Sequence, residues 1–548
     1  MSVNPILEKI LVGRGIPLAE QEHFLRPDFY KDQYDASKML GMDVVVSRLN
    51  KAIELAEEVL IFGDYDADGV PATALLVRTL STLGMKVVPL IPSRAQGYGL
   101  TSVIVAEVIS RAPRLLITVD NGTVAKAEIA QIADAGIDVI VIDHHEPQVG
   151  EIADRALAII NPKQENCPYE FKEMCACGLS WKVVEQLYVS RSEDVQQLKW
   201  ELDLVAISTI ADMVPLVGEN RLFARYGLHV LQKSKNVGIR ALVESAGVQI
   251  DTVSAGDVGF KIAPRINAPS RMHNELVAGV NAAVQLLITS DARQAAQLAR
   301  HLTDQNTERQ ALVDTHLLEA ERQASEMDDA LVLVVFHETW STGVIGLVAS
   351  RLMDRYKRPV IALAPEDGVI KGSVRSVGAV HAVEMLEASK DELERFGGHT
   401  KAAGLTFIGD IDQFRTKLST YVQAQGFTLA DLRRAAERTA ELELNLSDVT
   451  LDLCTALEEM EPFGIGFSRP LFETVCTLNG LRKVGSTGQH LSGFLTEGSV
   501  RKKAIAFQQG DRDVQDGGMY RVVYTVECET WRDVSSPVCH IQNIISLD

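Results

Sequence analysis

Behind the apolar run Val59-Leu60-Ile61-Phe62 stand three carboxylates at alternate positions, Asp64, Asp66 and Asp68, closed by Gly69. Carboxylates this close repel one another unless cations offset their charge. For the stretch alone two readings are open: a cradle for divalent cations, or a polar turn between a strand and a helix. Two further groups bear on the choice. Asp120-Asn121-Gly122 follows Ile117-Thr118-Val119, and Asp143-His144-His145 follows Val139-Ile140-Val141-Ile142. Each has an ordinary explanation by itself: an Asx turn, a helix cap, a surface histidine pair. As a set, Asp and His donors suit manganese first, magnesium second and zinc less well.

A parallel sheet would gather these groups. From about residue 46 to 165, apolar runs at 60–62, 86–91, 115–119, 139–142 and 157–160 alternate with helical stretches such as 71–83 and 124–135. That alternation implies a parallel sheet with right-handed connections. All its strand ends then lie on one edge, where open α/β sheets place ligands. Asp64, Asp66, Asp68, Asp120, Asp143, His144 and His145 thus share one rim, which three unrelated turns do not explain. Further on, the helical segment 171–225 carries Asp212 in the run Thr209-Ile210-Ala211-Asp212-Met213-Val214-Pro215. A carboxylate there is either a helix cap or another ligand.

A chain of 548 residues is too long for one core, and three or four domains are expected. With 46% hydrophobic and 23% charged residues it has an ordinary globular composition. No apolar run is long enough for a membrane span, and the start Met1-Ser2-Val3-Asn4-Pro5 lacks a signal-peptide pattern. Seven scattered cysteines fit reduced thiols, so a cytoplasmic location is expected. Cys167, Cys175 and Cys177 cluster without a matching pair at finger spacing, which argues against structural zinc. A net charge of −20 does not describe a nucleic-acid binder on average. A rim that holds cations is acidic by construction, however, and basic groups must be sought locally.

The second half supplies them. Residues 226–325 read as helical, with 291–322 free of Gly and Pro. A second α/β pattern starts near 329, with strands at 330–336 and 360–364 and a helix at 343–355. Gly372-Ser373-Val374-Arg375-Ser376 brings amides, a hydroxyl and a guanidinium together, which suits a phosphate and equally a strand-end turn. From about 430 short strands take over, at 472–479, 488–496, 500–507, 519–527 and 538–546, as in an OB-like barrel. Arg482, Lys483, Arg501, Lys502 and Lys503 collect there with Phe507 and Trp531. They suit single strands held by charge and stacking, or are solvated turns.

In this order and spacing, DYDADG (64–69), DNG (120–122), DHH (143–145) and IADMVPL (210–216) resemble the DHH phosphoesterases, and within them the bacterial 5′→3′ single-strand-specific exonucleases. The resemblance extends to IPSR and GYGL between 91 and 100, APRIN at 263–267, Trp340 with GVIGLVASR at 343–351, FGGH at 396–399 with AAG at 402–404, and EPFGIG at 461–466. Single motifs are weak; the ordered set covers nearly the whole chain and is specific.

The resemblance implies an α/β fold: an N-terminal arm (1–45), a parallel-sheet DHH catalytic domain (46–225), a helical segment with a long connecting helix (226–325), a DHH-associated domain (326–428) and an OB-like nucleic-acid-binding barrel (429–548). It implies two manganese ions, with magnesium as the alternative, held by Asp66, Asp68, Asp120, His144 and Asp212. Asp64 is placed with these metal groups as an acidic position. His145 matches a catalytic histidine, and Asp143 orients the pair from behind. Two-metal phosphodiester hydrolysis then releases 5′-mononucleotides in DNA repair and recombination. Arg94, Ser373 and Arg375 match a 5′-phosphate site; Arg265, Arg271 and His399 lie along the strand. A monomer is expected, away from membranes. The partner is single-stranded DNA with a 5′ end; a single-stranded-DNA-binding protein and a helicase are the candidate protein partners. The alternative is a DHH enzyme for short oligoribonucleotides or nucleoside bisphosphates, which would lack arm and barrel. Three departures stand out: Ser341 replaces the usual His after Trp340, the segment around Arg94 is short, and Pro269-Ser270 replaces Ala-Gly. Longer members carry a further C-terminal domain, and its contacts are expected to be missing.

Overall fold

The computed structural model describes residues 3–93, 96–97, 99–272, 278–437, 439–531 and 534–547. The chain gathers into two compact units, Asp35–Asp212 with Tyr226–Glu437, and Met1–Tyr34 with Met213–Arg225 and Arg438–Asp548.

The larger unit opens with β1 (Glu58–Gly63), β2 (Lys86–Leu90), β3 (Leu115–Val119), β4 (Asp138–Ile142) and β5 (Ala158–Ile160). They form one all-parallel sheet in the order β2-β1-β3-β4-β5. The central strands are continuous apolar runs because helices cover both faces. The helix Gly69–Thr82 is buried almost all round, since it packs against β1 and β2 and against the helices Ala176–Ser190 and Leu202–Ala211. Strand order reverses beside β1, so its carboxyl end and that of β3 flank a crevice.

A 34-residue helix, Ala292–Ser325, follows. The Asp291 side chain starts it by accepting the Arg293 and Gln294 amides at 2.8 and 3.3 Å. Its buried stripe, Ala295, Ala299 and Leu302 onward, packs on Val237–Ser245, Ala263–Arg271 and Ile345–Tyr356.

The second sheet contains β6 (Leu333–Phe336), β7 (Val360–Glu366), β8 (Val369–Arg375), β9 (Leu393–Gly398) and β10 (Ala402–Phe407), ordered β6-β7-β8-β10-β9. Only β6 and β7 pair in parallel; the others are antiparallel. Val374, Ala403, Leu405 and Phe407 face a core closed by Phe414 and Leu418. An antiparallel strand alternates its faces, so Lys371, Ser373 and Arg375 point the other way.

In the smaller unit, β11 (Leu442–Glu443), β12 (Phe472–Val484), β13 (His490–Glu497), β14 (Val500–Ala506), β15 (Met519–Trp531) and β16 (Val534–Ser546) form a sheet that the β12–β15 pairing closes into a five-stranded barrel, with β11 added along β12. The arm packs on this unit: Phe24 meets Phe467 at 5.2 Å, Phe29 meets Phe223 at 5.8 Å, and Arg14 pairs with Glu441 at 2.7 Å. Several of the barrel cations have partners within it. Lys483 pairs with Asp511, Lys503 with Glu529, and the Arg501 guanidinium lies over Phe494. Phe507 is half-exposed between His490 and His540. The Trp531 side chain lies outside the described residues. Among the described residues no helix is long and apolar enough to cross a membrane.

Candidate active site

The parallel ladder itself aligns the rim. The Asp64 amide donates to Val119 O, the Asp120 amide to Ile142 O and the Asp143 amide to Ile160 O, at 3.2, 2.9 and 3.0 Å. Each strand-end acid is therefore held by its neighbour strand's last carbonyl. Gly69 lets the loop fold back onto β1, because a Cβ there would meet the Asp64 backbone at 2.5 Å.

Asp68 reaches across to the start of the helix Ala176–Ser190. Its carboxylate accepts the Ala176 and Cys177 amides at 2.7 and 2.9 Å, and the Ser208 hydroxyl. A helix N-terminus favours a negative charge there. Asp66 accepts the Asp68 and Gly69 amides at 2.9 and 3.1 Å. Asp212 ends the helix Leu202–Ala211. His144 Nε2 stands among three carboxylates, 3.2 Å from Asp120 and 3.6 Å from both Asp68 and Asp212.

Asp143 is different in kind. It accepts the Thr123 amide at 2.9 Å, the His144 and His145 amides at 2.8 and 3.2 Å, and the His145 Nδ1 at 2.7 Å. Burial would raise its carboxyl, but the hydrogen bonds from His145 and Thr123 and the His145 charge outweigh that and hold it far below the usual range. Asp143 therefore stays charged and fixes the His145 ring. Burial lowers the His145 pKa, but its bond to Asp143 and the charges of Asp143, Asp212 and Asp68 push it up to about 9.

The remaining carboxylates lack such support. Oδ1 of Asp64 and Oδ1 of Asp120 are buried without a hydrogen-bond partner. Burial first, then neighbouring negative charges, raises both carboxyls well above the usual range and pushes Asp212 up to about 8. His144 is shifted down by burial despite the pull of Asp68. A neutral imidazole facing carboxylates and buried orphan oxygens make a poor protein interior by themselves. They make a good cation site. Three overlapping groups each bring their donor atoms within 4.8 Å of one another: Asp64, Asp66 and Asp120; Asp68, His144 and Asp212; Asp120, His144 and His145. Manganese and magnesium fit this oxygen-rich set with imidazole. Cys175 and Cys177 lie behind Asp68, and burial raises both thiols, so they stay protonated.

The second sheet offers the opposite charge. A groove of about 960 Å³ runs over its polar face, lined by Lys371, Ser373, Arg375, Arg395, Gly397, Gly404 and Thr406, and also by Arg271 and by Tyr65 of the metal loop. Arg375 donates to the Ser373 and Ser350 hydroxyls at 3.0 and 3.1 Å, which aims its guanidinium. Arg265 is held elsewhere, by Thr303 at 3.1 Å and the Lys261 carbonyl. His399 is exposed at the turn between β9 and β10, outside the groove lining. Arg94 lies outside the described residues.

Some positioning groups escape a reading of the sequence. Asn267 Oδ1 accepts the Ala67 amide at 2.8 Å and so steadies the acidic loop from a distance of 200 residues. Asn161, just past β5, donates to the His145 carbonyl at 2.9 Å and to Thr123 at 3.0 Å. The strand-end rule that located the other rim groups would have located it too. On the long helix Gln305 and Asn306 are buried with side-chain oxygens that meet no partner. Polar residues in an apolar stripe were the available signal. At the Ser341 departure, the Ser341 amide donates to Nε2 of His316 at 3.0 Å, and that ring stacks on Trp340. An imidazole from the long helix thus stands beside the place where a histidine was expected.

An acid–imidazole rim on a parallel sheet, joined to a second α/β domain, defines a DHH-type phosphoesterase. Residues 58–209 match the DHH family N-terminal domain, 328–424 the DHHA1 domain and 440–543 the RecJ OB domain. The sequence is 33% identical over 552 residues to the single-stranded-DNA-specific exonuclease RecJ of Bacillus subtilis (strain 168), covering 99% of this chain and 68% of that one. It is 30% identical over 566 residues to the Escherichia coli (strain K12) protein of that name, covering 98% and 96%. RecJ from Thermus thermophilus in complex with Mn2+ aligns with a TM-score of 0.83 and 29% identity over 100% of this chain and 76% of that one. Its Mg2+ complex gives 0.77 and 28%, over 100% and 75%. The chain belongs to the RecJ family of single-stranded-DNA-specific exonucleases.

Proposed function

We propose that this exonuclease degrades single-stranded DNA from the 5′ end, releasing 5′-mononucleotides, with two divalent cations held by Asp66, Asp68, Asp120, His144 and Asp212. Manganese is the first choice and magnesium the second. The observation that carries this reading is the overlap of the candidate ligand groups, in which Asp120 and His144 are each shared by two groups. Asp64 adds a buried oxygen beside Asp66 and Asp120. When bound, the cations offset charge on the phosphate and supply an activated water for in-line displacement.

The residues of the chain do the rest. Asp143 accepts from Nδ1 of His145, so proton transfer at His145 runs through Nε2. A protonated His145 steadies a phosphate oxygen or gives its proton to the departing 3′-oxygen. Arg375 and Ser373 meet the terminal 5′ phosphate, with Arg94 as a third group. Arg271 in the groove and Arg265 contact the strand behind it, with His399 at the rim of the second sheet. The reading extends to DNA repair and recombination in the cytoplasm, on strands that a helicase exposes and a single-stranded-DNA-binding protein covers.

Strands labelled at either the 5′ or the 3′ end, incubated with manganese, test the direction. The 5′ label should appear first as a mononucleotide. Early release of the 3′ label, or cleavage confined to strands of a few nucleotides, would overturn it. Full manganese-dependent turnover by His145→Ala would remove that residue from the chemistry.

A further inference from the structure

Beyond Ser373 and Arg375 the groove carries two cations that the phosphate site does not use. On the polar face of the second sheet, residues stand in rows across β8, β10 and β9. Ser373 is opposite Gly404, and Gly404 opposite Gly397. One row along, Lys371 is opposite Thr406, and Thr406 opposite Arg395. A register shift between Thr406 and Phe407 lets Arg395 face the groove while Leu393 still faces the core. A Cβ at Gly397 or Gly404 would meet nothing within 4 Å, so the rest of the Ser373 row, beside the row of cations, is an open floor.

Lys371 leans along its row, donating to Thr406 Oγ1 at 3.1 Å. Neither Lys371 nor Arg395 has a carboxylate partner among the described residues, whereas Arg351, Arg355, Arg415 and Lys417 of the same domain do. Strand and residue spacings put neighbouring rows about 7 Å apart and neighbouring strands about 5 Å apart. One bound phosphate at Ser373 therefore leaves further anionic groups within reach of the next row. Glu366 and Asp367 close the same groove at the β7–β8 turn. Glu366 is engaged by the Thr342 hydroxyl. Their charge ends the anion-binding track there.

We propose that the Lys371–Thr406–Arg395 row is a second anion subsite, which receives the outer phosphates of a 5′-polyphosphorylated strand end. It rests on the assignment of Ser373 and Arg375 to the first 5′ phosphate. The chemistry is the same hydrolysis. Water adds to the phosphorus that joins the first and second nucleotides, and the 3′-oxygen of the first leaves and takes up a proton. The first product is then a nucleoside 5′-triphosphate with a free 3′-hydroxyl, and the remaining strand carries an ordinary 5′-monophosphate.

The test uses single strands that carry a 5′-hydroxyl, a 5′-monophosphate or a γ-labelled 5′-triphosphate, with the full chain and manganese. The label should leave as intact nucleoside triphosphate. Arg395→Ala should lower kcat/KM for the triphosphate end about tenfold while changing the monophosphate end by less than about twofold, and Arg395→Glu should do so more strongly. Arg395 is exposed and unpaired among the described residues, so folding is not at risk. An inert triphosphate strand, label leaving as phosphate or pyrophosphate, or equal loss at both ends would overturn the subsite. Ser373→Ala reports separately on the reading beneath it. If that change leaves the preference for a monophosphate over a hydroxyl end intact while Arg395→Ala still acts on the triphosphate, the 5′-phosphate assignment fails and the subsite stands.

Discussion

The two sheets of the larger unit use the same materials in opposite ways. The parallel sheet works at its strand ends. It gathers acids there, buries two of their oxygens without partners, and leaves a charge that bound cations would offset. The mixed sheet works across its face. It lines a groove with Lys371, Arg375 and Arg395 and leaves that face open because glycines stand between them. One site stores electrostatic strain and the other stores vacancy. The difference follows from strand direction. Parallel strands bring all their carboxyl ends to one edge, whereas antiparallel strands scatter their ends and align their side chains in rows.

Removing a charge should therefore have opposite effects on stability at different points. The largest effect is expected from Asp120→Asn. Turnover should fall on the order of 10³-fold or more, since one group aimed at developing charge can be worth that much. Without metal, however, the variant should melt higher than the parent, because a buried, unpartnered carboxylate has been neutralised. Added manganese should reverse the ranking: the parent gains stability by mass action, about 2.7 kcal/mol at a hundred times Kd, and the variant does not. Thermal melts with and without manganese decide it. A variant that melts lower in both conditions would mean that the Asp120 charge supports the fold.

Asp143→Asn sharpens the contrast within the rim. Asp143 has a partner for both oxygens, so its loss should destabilise the metal-free protein. Turnover should drop about 10- to 100-fold, as for other carboxylates placed behind functional histidines. A smaller loss follows at the groove. Ser373→Ala removes one neutral hydroxyl and should raise KM for a 5′-phosphorylated strand about 2- to 10-fold. Metal affinity, read by the manganese-induced shift in melting, should stay unchanged; a change would show that groove and rim are not separable.

The rim was more legible in the sequence than the groove, for a physical reason. Strand periodicity plus one rule about strand ends located Asp64, Asp66, Asp68, Asp120, Asp143, His144 and His145 together. Nothing local placed Asp212 or Asn267 beside them, since those contacts depend on how helices distant in the chain pack. For Asp212 the residues leave a helix cap and a ligand both open, and only the resemblance chooses between them; Asn267 stands out only as part of a motif. The groove depends on cross-strand register. Ser373 and Arg375 could be picked out as neighbours on one strand, but Arg395 joins them only through two strand pairings and a bulge. Strand boundaries are legible in the parallel sheet, as in β3, because its buried strands are unbroken apolar runs; the half-exposed barrel strands β12, β15 and β16 run beyond the expected ends.

A substitution away from the rim separates burial from metal chemistry. Asp203, near the start of the helix Leu202–Ala211, is 2% exposed and belongs to none of the candidate metal groups. It accepts from the Ser234 hydroxyl at 2.6 Å and from the Leu204 amide at 2.8 Å. Burial, against the pull of Ser234, pushes its carboxyl up to about 7 from 3.8. The folded chain then holds a proton that the unfolded chain has lost between about pH 4 and pH 7. Its contribution is fully present below that window and falls as pH rises through it, by up to about 1.4 kcal/mol per unit. Asp203→Asn cannot titrate there. Relative to the parent, it should gain stability steadily from about pH 4 to pH 7 and be level above that, with manganese making no difference. If manganese changed that comparison as it does for Asp120→Asn, burial alone would not explain Asp203, and the rim would reach further into the helices than its ligand groups indicate.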